Sequence, residues 1–236
     1  MITPPATGPV IEDVDEVLET TRTVRHRLDF DRPVDSAVIV RCVEIAQQAT
    51  MGSNQEEWRV IAVTDPARKL EIARIYREIY EEMVAAPFRD ADEDVLERLD
   101  PTRRGDEDEQ LRQQRTMSGV KHLADNLERV PVITFFATTA ATPPAPIGKL
   151  ASGFYGSIIP LAWSYQLALR SRGLGSVMAT AAVHRADDYA RLLELPEDFT
   201  LVTMIPAAYT RGTDFRRARR KPVDQVLRFE RWGRDV

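Results

Sequence analysis

The sequence is poor in the residues that most often announce a chemistry. It holds one cysteine, Cys42, in 236 residues, so no internal disulfide can form, and its neighbours Ile39, Val43, Ala46 and Ala49 give the thiol a packing role on a helix face. The three histidines, His26, His122 and His184, are scattered with no second ligand at metal spacing, which argues against a metal site. His122, on a helix beside an apolar stripe, reads as a structural or channel residue rather than a base. No P-loop, G-x-S-x-G elbow or zinc spacing occurs. Gly173-Leu174-Gly175 begins like a dinucleotide fingerprint, but it follows a helical stretch and Met178 stands at the third glycine position. With no nucleophile, metal or acid–base pair in view, an enzyme built on this chain needs a cofactor to carry its reaction.

Long apolar runs are missing too. No stretch of about eighteen apolar residues exists, and Met1-Ile2-Thr3-Pro4-Pro5 lacks the charged and apolar regions of a signal peptide, so a cytoplasmic protein with no membrane partner is expected. A formal net charge of -5 argues against a general nucleic-acid binder, and any basic cluster is then local and aimed at a small anion. No period of about 20 to 50 residues repeats, which excludes a solenoid. What the chain does have is 43% hydrophobic content over its length, enough for one sizeable core.

Residues 1–12 read as a mobile Pro-, Gly- and Thr-rich arm, and residues 13–236 as a single domain. A first helix runs from about Asp13, with Val14, Val17, Leu18 and Thr21 on an inward face, into a cationic knot, Thr21-Arg22-Thr23-Val24-Arg25-His26-Arg27. A second helix starts at Asp35 or Ser36 and ends near Ala49. After the loop Thr50-Met51-Gly52-Ser53-Asn54 comes a strand from Trp58 to Val63, and Asp65-Pro66 opens a long helix through Met83. Residues 87–114 are strongly charged, with Asp90-Ala91-Asp92-Glu93-Asp94 and Asp106-Glu107-Asp108-Glu109, and read as a solvated insertion or a lid. A helix through Leu123 and Leu127 leads to an apolar strand from Val130 to Ala137, buried on both faces.

Ser157 to Arg172 is apolar nearly all round and reads as a central helix, with Pro160 in its first turn and Gly173 as its left-handed cap. Further strands cover Ser176 to Ala181 and Leu201 to Ala207, around a helix holding Tyr189, Leu192 and Leu193. The tail from Thr213 is basic, then amphipathic. Strands separated by helices around one buried helix give an α+β class, an α/β/α sandwich with a small, mostly antiparallel central sheet.

Three separated pieces and one ending carry a resemblance: Arg22-Thr23-Val24-Arg25; Ala49-Thr50-Met51-Gly52-Ser53-Asn54-Gln55-Glu56-Glu57-Trp58; the helix and turn from Leu167 to Ser176; and Arg219-Arg220-Lys221-Pro222-Val223. In this order the chain resembles the nitroreductase family of FMN-dependent oxidoreductases over roughly residues 14–232. The resemblance implies that Arg22, Thr23 and Arg25 hold the FMN phosphate, ribityl chain and pyrimidine edge. Thr21 stands where many members have a first arginine. Forked, charged donors suit a phosphate monoester or an anionic ring edge.

In the second piece Asn54 and Trp58 match the family. Thr50-Met51 replace a Pro-Ser pair and Glu56-Glu57 replace Gln-Pro, so only backbone contacts from Thr50, Met51, Gly52 and Ser53 carry over, beside the Asn54 amide. The resemblance further implies backbone groups near flavin N5 from Met178, Ala179 and Thr180. It also implies a phosphate contact from Arg220, with Arg216, Arg217 and Arg219 as further candidates. It implies a homodimer with the flavin at the interface, the Asn54 loop coming from the second subunit. The expected activity is ping-pong transfer from NADH or NADPH to a nitroaromatic, quinone or related electrophile. Flavin storage or sensing is the alternative, as is another FMN chemistry: dehalogenation, enone reduction or flavin fragmentation.

Overall fold

Four aspartates set the helix starts, each accepting a backbone N–H of the first turn. In a computed structural model, which describes residues 11–54, 56–89, 92–93, 100–103, 105–139 and 150–231, Asp13 caps α1 (Val14–Thr20) through the Glu16 amide at 2.7 Å. Asp35 caps α2 (Ser36–Ala46) through Ala37 at 2.8 Å. Asp65 caps α3 (Pro66–Tyr80) through Arg68 at 2.9 Å. α3 continues as a wider π turn, Glu81–Ala85, and a last α turn, Ala86–Arg89. Asp106 caps α4 (Glu107–Asn126) through Glu109 at 2.8 Å.

The acid run Glu107-Asp108-Glu109 is therefore the first turn of a long helix, where negative charge offsets the helix dipole. The stretch expected as an insertion, about 87–114, is thus helical from Glu107 onward. Residues 1–10 of the arm and most of residues 90–104 lie outside the described residues.

Four strands form one antiparallel sheet in the order β1-β2-β4-β3. They are β1 (Trp58–Val63), β2 (Val132–Thr138), β3 (Leu174–Ser176) and β4 (Thr200–Tyr209). β2 is buried throughout, as its unbroken apolar run requires of a strand covered on both sides. Phe136 faces Thr203 while Ala137 faces Leu201, so Val202 is an extra residue and the side chains of β4 change face there.

One sheet face carries Ile133, Phe135, Leu201 and Met204 against α3, α4 and the residues around Tyr189; the other carries Val132, Phe136, Val202 and Ile205 against α2 and the long helix α5 (Leu150–Arg170). Tyr165 of α5 meets the Thr134 hydroxyl at 2.9 Å, which satisfies both buried groups. α6 (Ala186–Leu192) follows.

Several expectations are corrected. α1 ends at Thr20, before the cationic knot, so Arg22 and Arg25 are not helical neighbours. Val14 and Leu18 are 68% and 48% exposed, so the apolar stripe of α1 does not face inward within one chain. α2 stops at Ala46, short of Ala49. α5 starts at Leu150 rather than Ser157, which puts Pro160 inside the helix; Tyr155 and Trp163 of α5 are exposed, so the helix is central on one side only. The third strand is shorter and earlier than expected, because residues Thr180–Arg185 turn as a 3-10 helix. Gly173 does cap α5 in the left-handed region, at φ 78°.

Candidate functional site

The knot leaves the helix because α1 closes on itself. The hydroxyls of Thr20 and Thr21 donate to the Glu16 and Val17 carbonyls at 2.6 Å each, and Thr21 turns extended. The chain then runs beside the sheet edge: Val24 N–H donates to Ser176 O at 3.0 Å, Thr23 bridges Ser176, Leu28 bridges Thr210, and Asp29 N–H donates to Tyr209 O at 2.8 Å. Gly175 makes this approach possible. A Cβ there would lie 2.7 Å from Thr210 Cγ2 and 2.9 Å from Val24 Cβ. Met178, Ala179 and Thr180 follow β3, and Ala179 bridges Met204 of β4.

Arg25 is the electrostatic centre. Its side chain lies along α4 where Gly119 leaves room, a Cβ at that position falling 3.1 Å from Arg25 Cδ. Its Nε is buried with no hydrogen-bond partner among the described residues. Burial lowers the guanidinium pKa, with the Tyr76 hydroxyl opposing. Arg22 is half-buried and Thr23 exposed.

Arg170, at the end of α5, is a second such cation and one the sequence did not single out. It is 5% exposed. Its Nε and Nη2 donate to Thr20 Oγ1 at 3.2 and 3.1 Å, Nη2 reaches Thr213 O at 3.5 Å, and Nη1 is buried without a partner among the described residues. Burial lowers its pKa, Glu16 opposes, and Arg27 adds to the lowering. A buried guanidinium without a bonded carboxylate is destabilising by several kcal/mol unless an anion compensates it. Arg170, buried, and Arg25, half-buried with an unpartnered Nε, both have donors to spare, which fit an anionic, partly planar ligand carrying a phosphate. In the sequence, Arg170 looks like ordinary positive charge in a last helical turn; its partner Thr20 is 150 residues away.

The C-terminal segment is fastened over the same region. Gly212, at φ 77°, turns the chain after β4. Arg27 Nε donates to Arg211 O at 2.9 Å and Arg27 Nη2 pairs with Asp214 at 2.8 Å, which holds that carboxyl below its usual range. The Arg27 and Arg170 guanidinium groups lie over the Phe215 ring at 4.1 and 4.5 Å. Further on, Arg217 Nε meets Glu19 of α1 at 2.6 Å and Arg219 meets Asp108 of α4 at 2.6 Å. Of the expected phosphate arginines, Arg217 is thus committed to a carboxylate. Arg220 is exposed beside Arg112 and Lys221 in a cavity of about 720 Å³.

Arg170→Lys keeps the charge but loses the fork that spans Thr20, Thr213 and Phe215. The segment after Gly212 should then be cut several-fold faster by trypsin than in the wild type; an unchanged rate would mean that Arg27 and the two ion pairs hold it alone.

Ala179 drops out as a backbone donor, because its N–H is given to Met204 O at 2.8 Å and its carbonyl receives Ala182 N–H. Met178 and Thr180 remain. The Asn54 loop stands elsewhere. Gly52 N–H donates to Ser157 Oγ at 2.9 Å, Met51 lies against the α2–α5 core, and Asn54 is exposed in the left-handed region at φ 54°. The side chain of Ser53 and all of Gln55 lie outside the described residues. Ser157 and Arg170 are thirteen residues apart on one helix, hence about 20 Å along its axis. Within one chain, then, Thr50, Met51, Gly52, Ser53 and Asn54 do not join the knot.

The His26 and His122 rings, far apart in sequence, are brought within 4.5 Å. The cleft of about 600 Å³ between α3 and α4 offers no free charge, since Arg74, Arg77, Lys121, Glu81 and Glu82 are all engaged in ion pairs. Cys42 is fully buried, and burial pushes its thiol up to about 12.

Solved structures share this architecture. Iodotyrosine deiodinase bound to FMN and 3-iodo-L-tyrosine superposes with a TM-score of 0.65 at 18% identity, over 93% of this chain and 100% of that one. A variant of the FMN- and NADPH-dependent nitroreductase NfnB from sphigopyxis sp. strain HMH gives 0.63 at 21%, over 93% and 100%. A nitroreductase-like protein from Bacillus cereus gives 0.61 at 15%, over 98% and 99%. At these identities the likeness is one of fold. Comparison with curated proteins gives no match. The sequence model of the nitroreductase family matches residues 18–209, from the end of α1 through the last strand. That match spans well over half of the chain, which therefore belongs to the nitroreductase family.

Proposed function

We propose that the protein is an FMN-dependent oxidoreductase that takes electrons from NADH or NADPH and passes them to a nitroaromatic, quinone or similar electrophile. The reading is carried by Arg25, a half-buried cation whose Nε is buried with no partner among the described residues, set in a turn of hydroxyl and guanidinium donors. FMN, when bound, supplies a ring that accepts a hydride from the nicotinamide and delivers it to the second substrate. Arg25 would hold the pyrimidine edge and stabilise negative charge there with little reorganisation, because its side chain already lies along α4 at Gly119. Arg22, Thr23 and Arg170 grip the phosphate end, with Arg220 closing from the C-terminal segment. Met178 and Thr180 offer backbone N–H groups along the sheet edge.

The Asn54 loop completes the site from a second copy of the chain. The roughly 20 Å between the loop and the knot supports this arrangement. So does an uncovered apolar groove of about 370 Å³ lined by Val14, Val17, Leu18, Ile45 and Leu167. Obligate interfaces have this apolar character.

Purified protein should be yellow or become so with FMN, should sediment as a dimer, and should bleach rapidly when mixed with NADH or NADPH in a stopped-flow instrument. A protein that stays colourless after reconstitution sinks the cofactor assignment. One that binds FMN but keeps it oxidised with both donors is a flavin store or sensor, and the reductase assignment falls.

A further inference from the structure

Between Arg25 and Phe30 the chain is seated on one face of α4, and two imidazoles form the middle of that seam. Ser118, Gly119 and His122 share the face, being one turn apart. Gly119 gives the Arg25 side chain its channel. Ser118 Oγ lies 3.3 Å from His26 Nε2. The His122 ring stands 4.5 Å from His26, tilted by 35°, and 5.9 Å from Phe30, nearly parallel at 19°. Asn126 fixes the helix beneath by donating to His122 O at 2.9 Å.

We propose that His26 and His122 are positioning residues for Arg25: as a contacting pair with His122 neutral they hold the residue 25–26 turn on α4 and keep the Arg25 guanidinium aimed into the flavin site, and protonation of His122 lets it go. This rests on the role given to Arg25 above and adds to it a proton-linked control of flavin retention.

The charges around the pair set the direction. His26 lies between Arg25 and Arg27, and Arg27 is neutralised by Asp214. Facing His122 are the tilted His26 ring, Asp125 on its own helix, Arg129 from the turn after α4, and Arg211 from the segment after β4. Asp125 is shared with Lys121 at 2.6 Å, and Arg129 approaches Asp31 at 3.6 Å while lying over Phe30. Burial is the largest influence on His122, followed by His26, and both lower its pKa; Asp125 alone opposes. Folding therefore favours neutral His122. Between its lowered folded value and the ordinary 6.5 the unfolded chain binds more protons, so the seam weakens as pH falls through that window and is intact above it.

The test uses the full-length protein, wild type and with His26→Gln, His122→Gln and both. FMN affinity is read by quenching of flavin fluorescence between about pH 5 and 8. In the apoprotein, NMR follows the imidazole signals and the Arg25 Nε–H. The wild type should lose affinity for FMN about tenfold per pH unit below the midpoint. The double variant should bind more weakly at neutral pH and keep only the shallower dependence that the FMN phosphate itself imposes, its second pKa being about 6. His26→Gln should move the titration of His122 back toward 6.5. A flat wild-type profile, or a pH dependence equally steep in the wild type and the double variant, overturns the proposal. If FMN does not bind at any pH, the cofactor assignment fails instead. The pair is then decided in the apoprotein, where an Arg25 Nε–H signal that titrates with His122 upholds the positioning role and one that does not overturns it.

Discussion

Arg25→Met should weaken FMN binding by about 10- to 100-fold while leaving the apoprotein at least as stable as the wild type. The two halves have one cause. In the folded chain the guanidinium is partly desolvated, its Nε has no partner among the described residues, and burial lowers its pKa. Replacing a partly buried cation that has no bonded carboxylate with an apolar side chain of similar length is often neutral or slightly stabilising. Methionine can follow the same channel past Gly119. A charged hydrogen bond to the ligand is worth about 1.5–3 kcal/mol, which gives the loss of affinity.

Calorimetry of the apoprotein and a fluorescence titration with FMN measure the two sides separately. A destabilised apoprotein would mean that Arg25 is structural; unchanged FMN affinity would remove it from the site. Arg25→Lys should fall between, because an ammonium keeps the charge but not the fork.

How much of this was legible in the sequence follows from how local each cause is. β1 and β2 were readable because a short apolar run bounded by turns can satisfy both sheet faces in only one way. Asp35 and Asp65 were readable as helix starts because a cap acts within three residues. Pro160 misled. Proline is favoured in a first turn, so the helix was expected to begin near it, yet Phe154 and Ile158 bury against the sheet side and extend α5 back to Leu150. Apolar burial there outweighs one missing backbone hydrogen bond. The acid run at Glu107 misled in the opposite direction. Charge density suggested a solvated excursion, whereas Asp106 makes it a capped first turn.

Val14 and Leu18 show a further limit: periodicity identifies an apolar face without saying whether the same chain covers it. In the site, the knot was legible as a cluster of anion-binding residue types within four positions. Arg170 and the His26–His122 contact were not. Each depends on contacts between segments more than ninety residues apart, and nothing local to Arg170 or His122 marks the partner.

Gly175→Ala should lower the melting temperature by about 3–10 °C and cost most of the FMN affinity even at temperatures where the variant is folded. The added methyl would stand 2.7 Å from Thr210 Cγ2, 2.9 Å from Val24 Cβ and 3.0 Å from Val24 Cγ1. Val24 meets it at a branch point next to the backbone, so relief requires the knot itself to move away from β3. Overpacking of this kind costs about 1–3 kcal/mol, and a domain of this size loses about 2–4 °C for each. The bond from Val24 N–H to Ser176 O stretches first, and Thr23 and Arg25 are carried with it. Affinity therefore falls through geometry, not through unfolding.

Adding Thr210→Ser removes the Cγ2 contact while keeping the hydroxyl that donates to Gly212 O at 2.8 Å. It should recover part of the stability but little of the flavin binding, because the Val24 contact persists. If the double variant regained both together, the knot would be placed by overall stability alone, and the seam between residues 23–25 and β3 would not be what aims the site.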